Sequence, residues 1–183
     1  FDCKQILSAH QFHQAFRVGK QARSDTGMGR GACSVSSAAV EMLRDYIGDD
    51  DRPVILLVGA NKMITLAASR LSHRHHSKLL FANRTPDKAG ELVAKYHGES
   101  FGLDRLSELI GRADVVVTCT ASPEPVIGSN MIDNAAKERP ERPLVILDLA
   151  IPRDVDYPRG GRNNVAVYDL EDIKERILEY LAV

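Results

Sequence analysis

From Pro53 onward the chain alternates short apolar runs with helical patterns, and this alternation constrains the fold more than any other feature. Residues 53–58, Pro-Val-Ile-Leu-Leu-Val, offer no polar side chain to water, which predicts a strand buried on both faces. Residues 79–82, 113–119, 144–149 and 165–168 are further apolar runs of strand length, and a weaker strand is expected near Ser100. Helical spacing fills the intervals over 63–71, 87–96, 103–110, 131–137 and 171–181. Apolar strands separated by helices require crossover connections. The expected fold class is therefore α/β: a doubly wound, mostly parallel, Rossmann-like sheet with helices on both faces.

Upstream of this region Ile6, Leu7, Ala9, Phe12, Ala15, Phe16 and Val18 recur at helical spacing and predict an amphipathic helix over 5–22. Gly27, Gly29 and Gly31 mark a loop over 24–32. A second helix is expected from Ser34 or Ser36, either of which can cap it, to Tyr46, before Gly48 and the acidic run Asp49, Asp50, Asp51. That glycine-rich and acidic stretch before Pro53 is the candidate boundary.

Composition excludes several classes. With 183 residues, 44% hydrophobic and 27% charged, the chain reads as one soluble domain and not as a disordered one. No apolar run reaches the roughly 18 residues of a membrane span. The 24 Lys+Arg against 25 Asp+Glu give a net charge of −1, which argues against holding nucleic acid by bulk phosphate neutralisation. Cys3, Cys33 and Cys119 are widely spaced and form no Cys-x-x-Cys pair, as expected of a reducing, cytoplasmic compartment without a disulfide framework. The first residue is Phe1 and no charged-then-apolar leader follows, so a processed or excised chain without a secretory signal is expected.

In a doubly wound sheet ligands bind at the carboxyl ends of the strands, where strand order reverses. The turn after the first strand reads Gly59-Ala60-Asn61-Lys62-Met63-Ile64. A dinucleotide-binding turn has glycine at the first, third and sixth of these positions, and here only Gly59 is glycine. Asn61 tolerates positive φ, so the tight turn can form, although its side chain fills space that a pyrophosphate needs. Ile64 puts a branched side chain where close helix-to-strand packing wants none, which sets the helix further out. The amides of Lys62, Met63 and Ile64 are expected to leave an anion site at a helix N-terminus, with the Lys62 ammonium beside it. A plain strand-to-helix turn that binds nothing is the competing reading.

At the end of the second strand, Asn83-Arg84-Thr85 falls near the offset of about 20 residues at which a dinucleotide fold reads the ribose. No Asp or Glu stands there. A carboxylate would pair with a 2′-hydroxyl and repel a 2′-phosphate, whereas the Arg84 guanidinium with Asn83 and Thr85 suits the phosphate. A dinucleotide bound here is therefore expected to be NADPH. The alternative is a solvated Arg84 at the start of a helix that Thr85 caps. Thr120, Ala121 and Ser122, after the third strong strand, are expected to line the nicotinamide side, or else to form a loop stiffened by Pro123 and Pro125.

Several strings, taken together, resemble one family, glutamyl-tRNA reductase. They are Ala-Phe-Arg-Val-Gly-Lys-Gln-Ala-Arg-Ser-Asp-Thr over 15–26, Ser-Val-Ser-Ser-Ala-Ala-Val-Glu over 34–41 and Asn83-Arg84-Thr85. Thr-Ala-Ser-Pro-Glu-Pro over 120–125 and Asp-Leu-Ala-Ile-Pro-Arg-Asp-Val-Asp over 148–156 complete the set. Asn-Arg-Thr alone is shared with shikimate dehydrogenases. The resemblance implies an oxidoreductase of tetrapyrrole (porphyrin) biosynthesis that attacks glutamyl-tRNA with a Cys thiolate and reduces the thioester with NADPH to glutamate-1-semialdehyde. The family's Ser-x-Cys-Asn-Arg-type string is absent here, and none of the three cysteines stands in a matching motif, so no catalytic residue is expected in this chain. The resemblance thus implies three parts. Residues 1–33 are a linker from a catalytic domain, 34–170 the NADPH-binding domain, and 171–183 the start of a helix toward a dimerisation domain. The implied partners are glutamyl-tRNA, through the catalytic domain, and glutamate-1-semialdehyde aminomutase, with a homodimeric full-length enzyme, a monomeric fragment and no membrane. By itself the fragment is expected to be inactive.

His73, His75 and His76 raise metal binding, but no carboxylate or Cys at ligand spacing accompanies them, and histidines suit a helix C-terminus, so no metal is expected. His10 and His13 share a helix face with Phe12 and Phe16 nearby, as expected of packing or a partner contact. Asp148 ends an apolar strand either as a buried, hydrogen-bonded acid or as part of the cleft. Two competing functions remain: a shikimate-dehydrogenase-like NADP domain, and a degenerate domain that no longer binds cofactor and serves as a structural or interaction unit. Asn61 and Ile64 favour the latter.

Overall fold

The computed structural model describes residues 39, 40, 42, 43, 52–74, 77–161 and 164–181, all within the unit Val35–Val183. The predicted helix over 5–22, the loop over 24–32, Cys3, Cys33, His10, His13, His75 and His76 lie outside the described residues, as does the side chain of His73. Of the predicted second helix, Ala39, Val40, Met42 and Leu43 are described, and they are helical and buried.

Among the described residues six strands form one sheet: β1 (Val54–Val58), β2 (Lys78–Ala82), β3 (Glu99–Phe101), β4 (Val115–Thr118), β5 (Leu144–Asp148) and β6 (Val165–Tyr168). Their order is β3-β2-β1-β4-β5-β6, and every pair is parallel, where the sequence suggested a mostly parallel sheet. Among the described residues, four helices lie between strands, α1 (Lys62–Arg74), α2 (Pro86–Tyr96), α3 (Leu106–Arg112) and α4 (Ser129–Glu138), and α5 (Leu170–Leu181) follows β6.

The strands read as continuous apolar runs because both faces of the sheet are covered. Successive side chains alternate in direction, so Ile55, Leu57, Leu79, Phe81, Val115, Val117, Val145 and Leu147 enter one core with residues of α1, α2 and α5 and with Leu43. Leu56, Val58, Leu80, Ala82, Val116, Leu144, Ile146 and Val167 enter the other with residues of α3 and α4. The doubly wound architecture follows from this division.

Two local departures have simple causes. The helix expected over 103–110 is split into a 3-10 turn, Leu103–Arg105, and α3, because the Arg105 amide reaches the Gly102 carbonyl three residues back. The strand expected over 113–119 is shorter because Asp114 turns its carboxylate to the Val54 amide at 2.9 Å and to the buried Arg139 guanidinium at 3.0 Å. That pair ties the amino ends of β1 and β4 together, opposite the edge where the candidate site lies.

Candidate functional site

Strand order reverses between β1 and β4, so the crevice of this sheet opens where the chain leaves Val58 and Thr118. Parallel pairing brings three predicted groups to this one edge: the turn from Gly59 to Ile64 after β1, Asn83-Arg84-Thr85 after β2, and Thr120-Ala121-Ser122 after β4.

Gly59 is required twice over. Its φ is +108°, and a Cβ there would lie 2.3 Å from the Cys119 carbonyl oxygen. The carbonyl approaches because the ladders continue past the strands: the Gly59 amide donates to Ala82 O at 2.8 Å and the Cys119 amide to Val58 O at 3.0 Å.

Asn61 does not use the positive φ that it tolerates, since among the described residues only His97 does so without being glycine. Instead it caps α1. Its Oδ1 accepts from the amides of Met63 at 3.0 Å and Ile64 at 3.2 Å. Its Nδ2 donates across the switch point to the Cys119 carbonyl at 3.0 Å and lies 3.2 Å from Cys119 Sγ. Two of the three amides expected to be free for an anion are thus engaged by the protein's own side chain. Ile64 is wholly buried and packs into the first core with Ala67, Ala68 and Leu71. Burial pushes the Cys119 thiol up, against the hydrogen bond from Asn61, and Asp154 and Asp148 add to the rise.

At the end of β2 the Asn83 side chain donates to Thr85 O at 3.0 Å, and the Asn83 amide to Phe101 O at 3.2 Å. Thr85 holds the N-cap position of α2, but its hydroxyl makes no cap bond. Arg84 and Lys62 are exposed, and neither has a hydrogen-bond or ion-pair partner among the described residues. Two cations therefore stand uncommitted along the rim.

The loop after β4 is held from below by an acid that sequence reasoning did not single out. Asp154 is wholly buried, and its carboxylate accepts from the Thr118 hydroxyl at 2.6 Å, the Thr120 amide at 2.7 Å and the Thr120 hydroxyl at 2.5 Å. Thr120 Oγ1 accepts in turn from the Ser122 amide at 3.1 Å. Asp148, also wholly buried, accepts from the amides of Ala150, Val155 and Asp154 at 3.1, 3.0 and 3.3 Å. Its ion pair to Arg153 Nε spans 3.6 Å. Burial raises the Asp148 carboxyl above its ordinary value, and the three amides oppose that rise without cancelling it. Of the two roles left open for Asp148, the buried, hydrogen-bonded one holds.

The residues missed are Asp154 and Thr118. The available signal was the string Asp-Leu-Ala-Ile-Pro-Arg-Asp, whose closing acid had no role attached to it.

Residues 41–176 match the family model described as shikimate / quinate 5-dehydrogenase. A glutamyl-tRNA reductase of Nitratidesulfovibrio vulgaris is 35% identical over 181 residues, which cover 99% of this chain and 41% of that relative. The solved structure of the glutamyl-tRNA reductase from Methanopyrus kandleri matches at 35% identity and a TM-score of 0.70, over 93% of this chain and 45% of that one. The nucleotide binding domain of the Thermoplasma volcanium glutamyl-tRNA reductase, 24% identical, shares the fold at a TM-score of 0.59, over 83% of this chain and 98% of that one. The chain spans about two fifths of the length of the curated relatives it matches.

Proposed function

We propose that this chain, which belongs to the shikimate / quinate 5-dehydrogenase family and is homologous to glutamyl-tRNA reductases along nearly its whole length, is the NADPH-binding domain of such a reductase. The observation that carries the reading is the convergence at one switch point of the Gly59 turn, the uncommitted Arg84 and the Thr120 loop. When bound, NADPH supplies the hydride that reduces a glutamyl thioester to glutamate-1-semialdehyde, for tetrapyrrole biosynthesis.

The residues present fit the cofactor unevenly. Arg84, beside Asn83 and Thr85, offers an exposed guanidinium to a 2′-phosphate, a planar donor fork that a phosphate matches well. Thr120, Ala121 and Ser122 form a fixed wall for the nicotinamide end. Gly59, Ala60, Lys62, Met63 and Ile64 line the pyrophosphate turn, where Asn61 must release the α1 amides before a phosphate can take them.

In this reading residues 34–170 bind the cofactor, 1–33 connect from a catalytic domain that carries the thioester, and 171–183 begin the helix toward a dimerisation domain. Glutamyl-tRNA reaches the enzyme through the catalytic domain. Glutamate-1-semialdehyde aminomutase receives the product, and the full-length enzyme is a cytoplasmic homodimer. Among the described residues no helix is long and apolar enough to cross a membrane.

Calorimetric titration with NADPH and NADH tests the reading. Arg84→Ala is expected to weaken NADPH by about tenfold, the low end for a charge-assisted contact at an exposed site, with little change for NADH. Equal losses refute the 2′-phosphate role, and no NADPH binding at millimolar concentration refutes cofactor binding. That second outcome would favour the degenerate domain, for which the capping of the α1 amides by Asn61 is the supporting observation.

A further inference from the structure

We propose that Asp154 is a positioning residue for the nicotinamide end of the site, acting through Thr120 to fix the loop from Cys119 to Gly128. The inference rests on the NADPH reading and deepens it.

Asp154 holds that loop at both ends. Its carboxylate takes Thr118 and Thr120 at the start. Its backbone carbonyl accepts from the amides of Val126 at 2.9 Å and Ile127 at 3.0 Å near the finish. Ile127 then forms a parallel bridge with Val155, and the Asp156 amide donates to Ile127 O at 2.9 Å. The loops after β4 and β5 are therefore one unit with Asp154 at its centre.

The carboxylate also fixes the polarity of the loop. The Thr120 hydroxyl donates to Asp154 Oδ1 and so spends its single proton there. What remains on Thr120 Oγ1 is two lone pairs. One accepts from the Ser122 amide, and Ser122 Oγ in turn donates to Glu124 O at 2.6 Å. Thr120 can therefore present only an acceptor to a ligand, which suits a carboxamide N–H. An asparagine at 154 could donate to Thr120 as readily as accept from it, and the constraint would be lifted. Because Asp154 is wholly buried, it acts on a ligand through the groups it holds, of which Thr120 is the partly exposed one bound by its carboxylate.

The test compares two probes on the full chain: NADPH, and adenosine 2′,5′-bisphosphate, which carries the 2′-phosphate end without nicotinamide. Asp154→Asn and Thr120→Val are expected to weaken NADPH at least about fivefold, the scale of one buried polar group left without its partner. Affinity for the bisphosphate stays at the wild-type value, and Thr120→Ser, which keeps the hydroxyl, binds NADPH like wild type. Circular dichroism confirms folding. Should Asp154→Asn fail to fold, the Thr120→Val and Thr120→Ser pair, at a half-buried position, carries the test. Unchanged NADPH affinity in the valine variant, equal losses for both probes, or a serine variant as weak as the valine one overturns the inference alone. If wild type binds neither probe, the cofactor reading fails and this inference fails with it.

Discussion

Replacing Asn61 by alanine and by glycine probes the turn proposed to hold the pyrophosphate, with each substitution read in two ways. In the free protein Asn61 Oδ1 holds the amides of Met63 and Ile64, and Nδ2 holds the Cys119 carbonyl. A phosphate seated on those amides must displace the side-chain oxygen, so whatever the cap contributes to the free protein is forfeited on binding. Replacing an asparagine cap by alanine costs about 1 kcal/mol, and by glycine only roughly 0.3 kcal/mol. Asn61→Ala should therefore lower the stability of the free chain by about 1 kcal/mol in urea unfolding followed by circular dichroism, and Asn61→Gly by roughly 0.3 kcal/mol. The cap contribution lost from the free protein is what a phosphate no longer has to displace, and about 1 kcal/mol corresponds to NADPH binding tightened about fivefold by the alanine variant in a fluorescence titration. Asn61→Gly separates the obstacles. It removes the Cβ as well as the oxygen, so a gain with alanine identifies the cap as the obstacle, and a gain with glycine alone identifies the Cβ. If both variants bind NADPH more weakly than wild type, Asn61 is a ligand and not a competitor, and the reasoning fails. An unchanged unfolding midpoint in the alanine variant would sink the cap assignment itself.

The same edge of the sheet yields two further expectations. Gly59→Ala places a Cβ 2.3 Å from the Cys119 carbonyl oxygen at a φ of +108°, and the chain should lose more than about 2 kcal/mol on chemical denaturation; a wild-type midpoint would contradict the close approach of β4 to this turn. Asp148 has a folded-state pKa raised above its ordinary 3.8 by burial, so the folded chain binds its proton more tightly than the unfolded chain does. Its contribution to stability is full below the ordinary value and is lost as pH rises through the raised one. Asp148→Asn should flatten that fall, seen in unfolding midpoints as pH rises above the ordinary carboxylate range, and parallel profiles for variant and wild type would refute the assignment.

Most of the fold was legible because burial on both faces leaves a strong mark. A run such as Val-Ile-Leu-Leu-Val fits a strand buried on both faces, and the helical spacing between such runs locates the cover and makes the sheet parallel. The breaks were not legible where a single contact decides them. The 3-10 turn before α3 depends on one amide reaching back three residues, a local bond that leaves the helical spacing unchanged. The late start of β4 depends on Asp114 finding Val54 and Arg139, 60 and 25 residues away, too far to leave a periodic signal.

The site divided along the same line. Gly59 was legible, since a glycine after a buried strand announces a backbone that a side chain would obstruct. Asn61 was legible as a departure from the glycine pattern but not in what it does, because its partners include Cys119, just past the end of β4. Asp154 was invisible for a related reason. Thr-Ala-Ser-Pro-Glu-Pro and Asp-Leu-Ala-Ile-Pro-Arg-Asp look like two separate strings. In the sheet Thr118 pairs in register with Asp148, so both strings leave the same edge side by side. That register lets one buried carboxylate, six residues beyond Asp148, reach back to Thr118 and Thr120 and turn two loops into a single wall. The wall proposed for the nicotinamide end is therefore built by the pairing of β4 with β5, and a substitution in either string should be felt in the other.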